Sequence, residues 1–143
     1  MDWFGTAGAD IFLGTAQADA AIGLAGADLI FGKIDGDRLS GNVGRDTLNG
    51  NEGNDLLNGG RDDDWLFGGQ GNDRLFGDLG DDTIWGDLGT DSLIGGEGSD
   101  LFVAARRSAG TGPATTGGPT VADADLIVDF QPGRDRISLA GGI

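Results

Sequence analysis

One apolar residue recurs at every ninth position along most of the chain. The members of this series are Phe12, Ala21, Ile30, Leu39, Leu48, Leu57, Leu66, Leu75, Ile84, Leu93 and Phe102. Each sits at the centre of a three-residue segment such as Arg74-Leu75-Phe76, which predicts a short strand whose middle side chain points away from its neighbours. One such strand cannot bury its apolar residue, but stacked copies can align these residues in a continuous column.

Glycine and aspartate recur in the same phase. If Gly5 is position 1, every ninth residue up to Gly95 is glycine, and position 6 is always aspartate. The aspartates at position 6 are Asp10, Asp19, Asp28, Asp37, Asp46, Asp55, Asp64, Asp73, Asp82, Asp91 and Asp100. The phase holds from Gly5 to Val103, so the chain contains eleven tandem nonapeptides, numbered here as repeats 1 to 11.

The first six residues of each repeat favour turns. They are rich in Gly, Asn and Asp, which tolerate positive φ, whereas the last three residues are predicted to form the strand. Nine residues are too few for a coil with two opposed strands, but eighteen are enough. We therefore expect an all-β, parallel β-solenoid with two repeats per coil, in which odd repeats lie on one side and even repeats on the other.

This stacking places the position-6 carboxylates of repeats i and i+2 one above the other, about one strand spacing apart. Such a column of like charges is repulsive unless a cation lies between the turns. Glycine leaves backbone carbonyls accessible as additional ligands. Carboxylate and carbonyl oxygens together suit calcium far better than zinc or copper.

Composition narrows the function further. The net charge of −15 disfavours nucleic acid as a partner and contact with anionic membranes, and no segment is long and apolar enough to insert into a membrane. The absence of cysteine and histidine excludes disulfides, zinc–thiolate sites and histidine-based catalysis, and no catalytic residues are predicted. A merely solvated acidic surface is the alternative explanation of the charge, but the fixed placement of the aspartates favours cation binding.

The pattern Gly-Gly-x-Gly-x-Asp-x-U-x, where U is apolar, closely resembles the RTX (hemolysin-type calcium-binding) repeat over residues 5–103. The resemblance implies a right-handed parallel β-roll that folds only with calcium and is exported by type I secretion. It also implies ligation by the position-6 aspartates and by turn carbonyls. The glycines implied as ligands are Gly41, Gly44, Gly50, Gly53, Gly59, Gly68, Gly71, Gly77, Gly80, Gly86, Gly89, Gly95 and Gly98. Five gaps between odd turns and four between even turns predict up to nine Ca²⁺ sites.

Some repeats depart from the pattern. Position 4 is glycine except at Gln17, Asp35 and Asp62, and the core position of repeat 2 is the small Ala21, which we expect to leave a gap. Repeat 2 is therefore predicted to be the weakest unit. The calcium sites between repeats 2 and 4 are predicted to be the least complete.

Positions 7 and 9 should point outward, and on the odd side they are more apolar and aromatic than on the even side. The odd face, as we call it, comprises Ile11, Leu13, Leu29, Phe31, Thr47, Asn49, Trp65, Phe67, Thr83, Trp85, Leu101 and Val103. We expect the chain's own tail to cover this face. The alternative is a contact surface for a polysaccharide or for self-association, centred on Trp65, Phe67 and Trp85.

The tail divides into two segments. Residues 104–122 are predicted to form a flexible loop, because they are rich in Ala, Gly, Thr and Pro. In the predicted cap, 123–143, two short strands (126–130 and 136–139) flank a Pro-Gly turn. This part resembles the segment that caps the roll in secreted metalloproteases and alginate epimerases. Asp125, Asp129 and Asp135 are either further ligands or ordinary turn acids.

We therefore predict a non-enzymatic, secreted calcium-binding module that folds when it meets calcium outside the cell. The N-terminus lacks the basic and apolar regions of a Sec signal. That fits a cytoplasmic protein, an excised domain or export directed by the C-terminus, and the resemblance favours export through the type I secretion apparatus. The alternative function is a carbohydrate-binding accessory module of a secreted enzyme.

Overall fold

The computed structural model describes residues 1–105 and 125–140, and within these residues every regular element is a β-strand. No helix in these ranges is long and apolar enough to cross a membrane. The strands are β1 Asp2–Phe4, β2 Ile11–Leu13, β3 Ala20–Ala25, β4 Leu29–Ile34, β5 Arg38–Val43, β6 Thr47–Glu52, β7 Leu56–Arg61, β8 Trp65–Gln70, β9 Arg74–Leu79, β10 Thr83–Leu88, β11 Ser92–Glu97, β12 Leu101–Ala105, β13 Leu126–Ile127 and β14 Arg136–Ala140.

The strands form two parallel sheets of seven strands each. One sheet has the order β1-β3-β5-β7-β9-β11-β13 and the other β14-β12-β10-β8-β6-β4-β2. Within the repeats, sheet neighbours are eighteen residues apart; Leu48, for example, pairs with Leu66, and Ile84 with Phe102. Two repeats therefore make one coil, which confirms the predicted parallel β-roll.

The core is a column of the position-8 side chains between the two sheets. All eleven are buried, and Ile30, Leu48, Leu57 and Leu66 are 0% exposed. Burying one Leu or Ile side chain contributes about 1.5–3 kcal/mol relative to leaving it in water. The column thus joins successive coils through apolar contacts that no single repeat could make.

The interior strands are six residues long, so the prediction of three-residue strands was wrong. β6, for instance, runs from positions 7–9 of repeat 5 through positions 1–3 of repeat 6. Asn51 and Glu52, from the predicted turn, pair with Gly69 and Gln70 of β8. Identical coils stacked in register offer backbone partners to these residues, and this pairing overrides their local preference for turns.

Each turn of repeats 3 to 11 contains two residues in the left-handed region, at positions 2 and 4. In repeat 5 these are Asn42 (φ +76°) and Gly44 (φ +124°). Two of the exceptions at position 4, Asp35 and Asp62, adopt the same conformation at φ +74° and +77°. Aspartate tolerates this region better than most residues, so these two substitutions preserve the turn.

The N-terminal end of the core is extended by Trp3. This residue lies nine positions before Phe12, pairs in register with Ala21 and packs against the core. The ring centroids of Trp3 and Phe12 are 5.1 Å apart. A large aromatic side chain therefore lies next to the small Ala21, the residue at which the sequence predicts a gap.

The tail continues the roll as far as it is described. β13 pairs with β11 and β14 with β12, so the two strands lie in different sheets. The first strand is only Leu126–Ile127, shorter than the predicted 126–130. β12 extends to Ala105, two residues into the predicted loop. The rest of that loop, with residues 123–124 and 141–143 of the predicted cap, lies outside the described residues.

The odd face is partly apolar and solvent-accessible. Trp65 is 55% exposed, and its ring contacts Trp85 at 5.8 Å, which in turn stacks on Phe67 at 4.4 Å. Val103, predicted to point outward, is instead buried at 6%. Residues 125–140 extend the sheets and do not form the predicted cover over this face. Any cover by residues 106–124 lies outside the described part of the chain.

Candidate metal sites

The position-6 aspartates lie where a turn ends and the next strand begins, and their side chains point into the roll. Asp10 is half-buried, and the other ten, Asp19 to Asp100 in the repeat series, are at most 4% exposed. Buried carboxylates are costly unless they are hydrogen-bonded or paired with a cation. The partners of their two oxygens therefore determine what these turns can bind.

In repeats 3 to 11, one oxygen of the carboxylate accepts a hydrogen bond from the preceding coil. The backbone N–H of Asp46 donates to Asp64 Oδ1 at 2.8 Å, and that of Asp64 donates to Asp82 Oδ1 at 2.8 Å. The same bond links each aspartate from Asp28 to Asp100 with the aspartate eighteen residues before it. These bonds hold the carboxylates in two regular columns, one on each side of the roll.

The other oxygen has no donor in repeats 3 to 11. The buried Oδ2 atoms without a hydrogen-bond partner belong to Asp28, Asp37, Asp46, Asp55, Asp64, Asp73, Asp82, Asp91 and Asp100. A buried acceptor without a donor costs about 1–3 kcal/mol, and more when it is charged. Nine such atoms in a regular series indicate positions that a cation would satisfy.

Several of these Oδ2 atoms lie beside a position-1 glycine that also faces a carbonyl oxygen of the next coil. A Cβ added to Gly68 would lie 2.5 Å from Asp73 Oδ2 and 2.7 Å from the carbonyl oxygen of Gly86. The same pair of oxygens, from the carboxylate and the next glycine, meets at Gly23, Gly32, Gly50 and Gly77. A carboxylate oxygen without a donor and a carbonyl oxygen beside the same glycine are suitable ligands for a cation. The absence of a side chain at position 1 leaves room for them.

The predicted glycines fall into two groups. Those at position 1 (Gly41, Gly50, Gly59, Gly68, Gly77, Gly86 and Gly95) are buried and face the carboxylates. Those at position 4 (Gly44, Gly53, Gly71, Gly80, Gly89 and Gly98) adopt positive φ and stack on the position-4 residue of the preceding coil or on the neighbouring turn backbone. Coordination by either group remains a prediction.

The electrostatic environment disfavours ionised carboxylates in the interior. Burial, together with the charges of Asp82 and Asp46, raises the pKa of Asp64 to about 8, although the hydrogen bond from the N–H of Asp46 lowers it. Burial, with charges from neighbouring coils, likewise raises the pKa of Asp82 and Asp91 to about 7. Without a cation, these turns hold charge poorly at neutral pH.

The turns of repeats 1 and 2 are built differently. Thr6 donates to Asp10 Oδ2 from its N–H (2.5 Å) and its Oγ1 (2.9 Å), and Thr15 donates in the same way to Asp19 Oδ2 (2.6 and 3.0 Å). None of the residues at positions 2 and 4 of these repeats has positive φ. We call these two the closed turns and those of repeats 3 to 11 the open turns.

The closed turn of Asp19 differs from the open turns in the direction of the aspartate's pKa shift. Burial tends to raise its pKa, but hydrogen bonds from the chain's amino group and from Thr15 outweigh burial, and the pKa is lowered. Threonine at position 2 therefore donates its N–H and hydroxyl to Oδ2, whereas Oδ2 in the open turns has no donor. The sequence contains the signal, because Thr occupies position 2 in repeats 1 and 2 alone.

A second ladder, not anticipated from the sequence, runs along position 5. Asn54 Oδ1 accepts a hydrogen bond from the N–H of Asn72 (2.7 Å), and Asn72 Oδ1 accepts from the N–H of Thr90 (2.9 Å). Asp81 Oδ1 accepts from the N–H of Ser99 on the other side (2.8 Å). The signal for this ladder is an Asn or Asp at position 5 of repeats 6 to 9. These bonds fix the spacing between successive turns.

The donor set fits calcium. Each open turn offers a carboxylate oxygen and backbone carbonyls, the hard oxygen ligands that Ca²⁺ prefers. Among residues 1–105 and 125–140, no three acidic side chains gather at one point. Ligation would therefore rely on carbonyls from adjacent coils, with the carboxylate supplying the charge.

A stacked parallel roll with these inward carboxylates defines a calcium-binding β-solenoid module. The family model described as the RTX calcium-binding nonapeptide repeat matches the chain in four copies, at residues 4–39, 31–66, 40–75 and 67–102. The chain belongs to this family. A comparison with curated proteins found no match.

Proposed function

We propose that calcium ions bind in the open turns and that their binding folds the chain. The observation that carries this proposal is the series of nine buried Oδ2 atoms without a donor. With one ion at each of these atoms, we propose up to nine ions. The ligands would be the aspartates from Asp28 to Asp100 and the glycine carbonyls of adjacent coils, without Asp10 and Asp19.

The coupling of binding to folding follows from the position of the carboxylates. Folding without calcium would bury at least nine acceptors without donors and bring carboxylates of successive coils together. The unfolded chain avoids this cost, because its carboxylates are hydrated. The free energy of calcium binding would therefore appear largely as free energy of folding.

This property suits a secreted protein. Calcium is scarce in the cytosol and millimolar outside cells, so the chain would stay unfolded during synthesis and fold after export. We propose export by type I secretion, in line with the family. Detection of the folded chain in culture medium, with little in the cytosolic fraction, would support this. Accumulation of a calcium-free folded form in the cytosol would contradict it.

Circular dichroism in calcium and in chelator tests the folding proposal. We expect the β-sheet signal to vanish in chelator at neutral pH and to return with Ca²⁺, while Mg²⁺ at the same concentration has little effect because it requires a tighter octahedral site. Isothermal titration should count the ions. A well-folded roll in chelator, with no uptake of calcium, would refute the proposal.

The role we propose is a structural scaffold and not catalysis. The described carboxylates are spaced as a repeating lattice, with the same partners in each coil. Such a regular series of carboxylates would allow calcium to hold successive coils in a rigid stack. Any binding function of the module would then reside on its outer faces.

The second candidate function is carbohydrate binding on the odd face. The stacked rings of Phe67 and Trp85, with the exposed Trp65 beside them, form an aromatic platform of the kind that favours contact surfaces. Trp65→Ala or Trp85→Ala should abolish binding to a polysaccharide such as alginate, whereas Phe76→Ala on the even face should not. Equal binding by all variants would exclude this candidate. A change in oligomeric state would indicate self-association instead.

A further inference from the structure

The two ends of the described roll have open strand edges. Each sheet has seven strands, so one end presents β1 and β2 and the other presents β13 and β14. Each of these four strands pairs, in parallel, with one neighbour among the described strands. Between any two stacked coils of the chain, the C-terminal edge of one coil contacts the N-terminal edge of the next. The two free ends are therefore the two halves of a contact that the chain repeats internally.

The backbone at both ends has hydrogen-bonding groups that point away from the roll. In β14, the N–H of Arg136 donates to the turn before β12 at 2.8 Å. Hydrogen bonds alternate in direction from residue to residue along a parallel strand, so the N–H and C=O of Ile137 point outward. In β2, the carbonyl of Asp10 accepts from β4 at 3.0 Å, so the N–H and C=O of Ile11 point outward as well. Such open edges are templates for pairing with another strand.

The apolar column is incomplete at the C-terminal end. Ile137 follows Phe102 in this column, because the two residues pair in register. All eleven column residues of the repeats are buried, whereas Ile137 is 54% exposed. At the opposite end of the roll, Phe4 is 65% and Ile11 is 68% exposed. One further coil at the C-terminal end would bury Ile137 and complete the column.

We propose that folded rolls stack end to end, with β13 and β14 of one copy paired to β1 and β2 of the next. The register of the chain continues across this junction. Ile137 lies opposite Phe12 of the next copy, and the N–H of Ile137 donates to the carbonyl of Ile11 there. The N–H of Ile11 in turn donates to the carbonyl of Asp135. The inference goes beyond the proposed function and requires only that the roll is folded.

Opposite ends of two copies fit together better than identical ends. A head-to-tail junction repeats the parallel pairing of the described coils, whereas two identical ends would meet through antiparallel strands, which the described sheets lack. Such a junction leaves one free end on each copy, so further copies can add to form a filament. An end coil contributes about eighteen residues, slightly fewer than the 20–30 on each side of a standard interface, so the association is weak.

Sedimentation of the unaltered chain in calcium provides a test that depends on no variant. We expect the average mass to rise with protein concentration and to include species larger than a dimer. The dissociation constant should be on the order of micromolar or weaker. A folded chain that stays monomeric up to about 1 mM would overturn the inference, because its open ends would then remain unpaired.

Two proline variants block one end each. Ile11→Pro removes an outward N–H at the N-terminal end, and Ile137→Pro removes one at the C-terminal end. Proline is tolerated at an edge position whose N–H faces solvent, so the pairing within the roll is retained. The matched controls are Ile11→Val and Ile137→Val, which keep the N–H and a β-branched side chain. Circular dichroism in calcium checks that each variant forms the roll.

Mixing the two proline variants distinguishes the possible contacts. Each variant alone should associate at least about tenfold more weakly than the unaltered chain or the valine controls. An equimolar mixture should form a one-to-one dimer, because the free C-terminal end of Ile11→Pro meets the free N-terminal end of Ile137→Pro. If either proline variant alone dimerises as tightly as the unaltered chain, identical ends meet and the inference is wrong. Association lost in Trp85→Ala but kept in both proline variants would place the contact on the odd face, which would also overturn it.

Discussion

The closed turns of repeats 1 and 2 and the open turns of repeats 3 to 11 share the same aspartate but satisfy it differently. In a closed turn, the hydroxyl and N–H of a threonine at position 2 donate to Oδ2. In an open turn, position 2 is left-handed and Oδ2 has no donor. The residue at position 2 therefore distinguishes turns in which Oδ2 has donors within the protein from turns in which it has none.

The two kinds of turn also differ in the strands that enter them. β1 and β2 end after three residues, before the closed turns, whereas β3 and most later strands continue for six residues into open turns. Threonine is β-branched and avoids the left-handed region that the longer ladder requires at position 2. The hydrogen bonds to aspartate and the shorter strand are therefore consequences of the same residue.

We expect the strongest response when the pH of the calcium-free roll is changed, because the free-energy change sums over many carboxylates. Raised pKa values, about 6 for Asp37 and Asp73 and about 8 for Asp64, mean that the folded state binds protons more tightly than the unfolded chain. Stability from these open turns is present at low pH and lost as the pH rises through 6 to 8. In chelator, the β signal should grow as the pH falls from 8 towards 4.

The pKa of Asp19 is shifted in the opposite direction from those of the open-turn aspartates. Its lowered pKa contributes stability that is present above its unfolded value and lost only as the pH falls through the lowered value. The closed turn therefore does not oppose the trend between pH 5 and 8. A β signal in chelator that is independent of pH over this range would contradict the contrast between the two kinds of turn.

The next effect is the loss of one ligand from each kind of turn. Asp64→Asn, in an open turn, should bind one calcium ion fewer and lose about 2.7 kcal/mol of stability at a calcium concentration one hundred times the dissociation constant. Asp10→Asn, in a closed turn, should leave the ion count unchanged. Titration calorimetry and denaturation in calcium would measure both. If the two variants lose the same number of ions, the open and closed turns do not differ in calcium binding.

An exchange at position 2 should convert one kind of turn into the other. Thr15→Asn puts at position 2 the residue type found there in the open turns of Asn42 and Asn51. Gly14 already faces both Asp19 Oδ2 and the Gly32 carbonyl, so this variant should bind one more calcium ion. Asn42→Thr puts a β-branched residue at a φ of +76° and should remove one site at a cost of about 1–3 kcal/mol. Unchanged ion counts in both variants would show that the residue at position 2 does not determine whether a turn binds calcium.

The smallest effect expected is that of the threonine hydroxyl alone. Thr15→Val keeps the shape of the side chain but removes the donor at 3.0 Å from Asp19 Oδ2, and should cost about 1 kcal/mol in calcium. Thr15→Ser keeps the hydroxyl and should lose clearly less. Thermal denaturation of the two variants measures the difference. Equal losses would mean that the hydroxyl bond contributes nothing.

Much of the architecture could be predicted because its causes are local in the repeat. The nine-residue period placed Leu48 and Leu66 in the core and implied coils of eighteen residues, both of which the structure has. The same period, extended backwards from Phe12, reaches Trp3, although the repeat count began only at Gly5. The continuation of the columns by Asp125 and Asp135 could not be counted, because the intervening residues break the period.

The period, the core column and the two rows of inward aspartates follow from the sequence alone, since a strict repeat leaves a stacked chain no other consistent register. Which oxygen of each carboxylate is hydrogen-bonded, and which has no donor, is visible only in the folded chain. The folded chain alone shows that Thr6 and Thr15 close their turns and that Asp125 accepts a hydrogen bond from the N–H of Asp91. The reason is physical, because hydrogen bonds between coils depend on distances of a few ångströms across residues far apart in the chain.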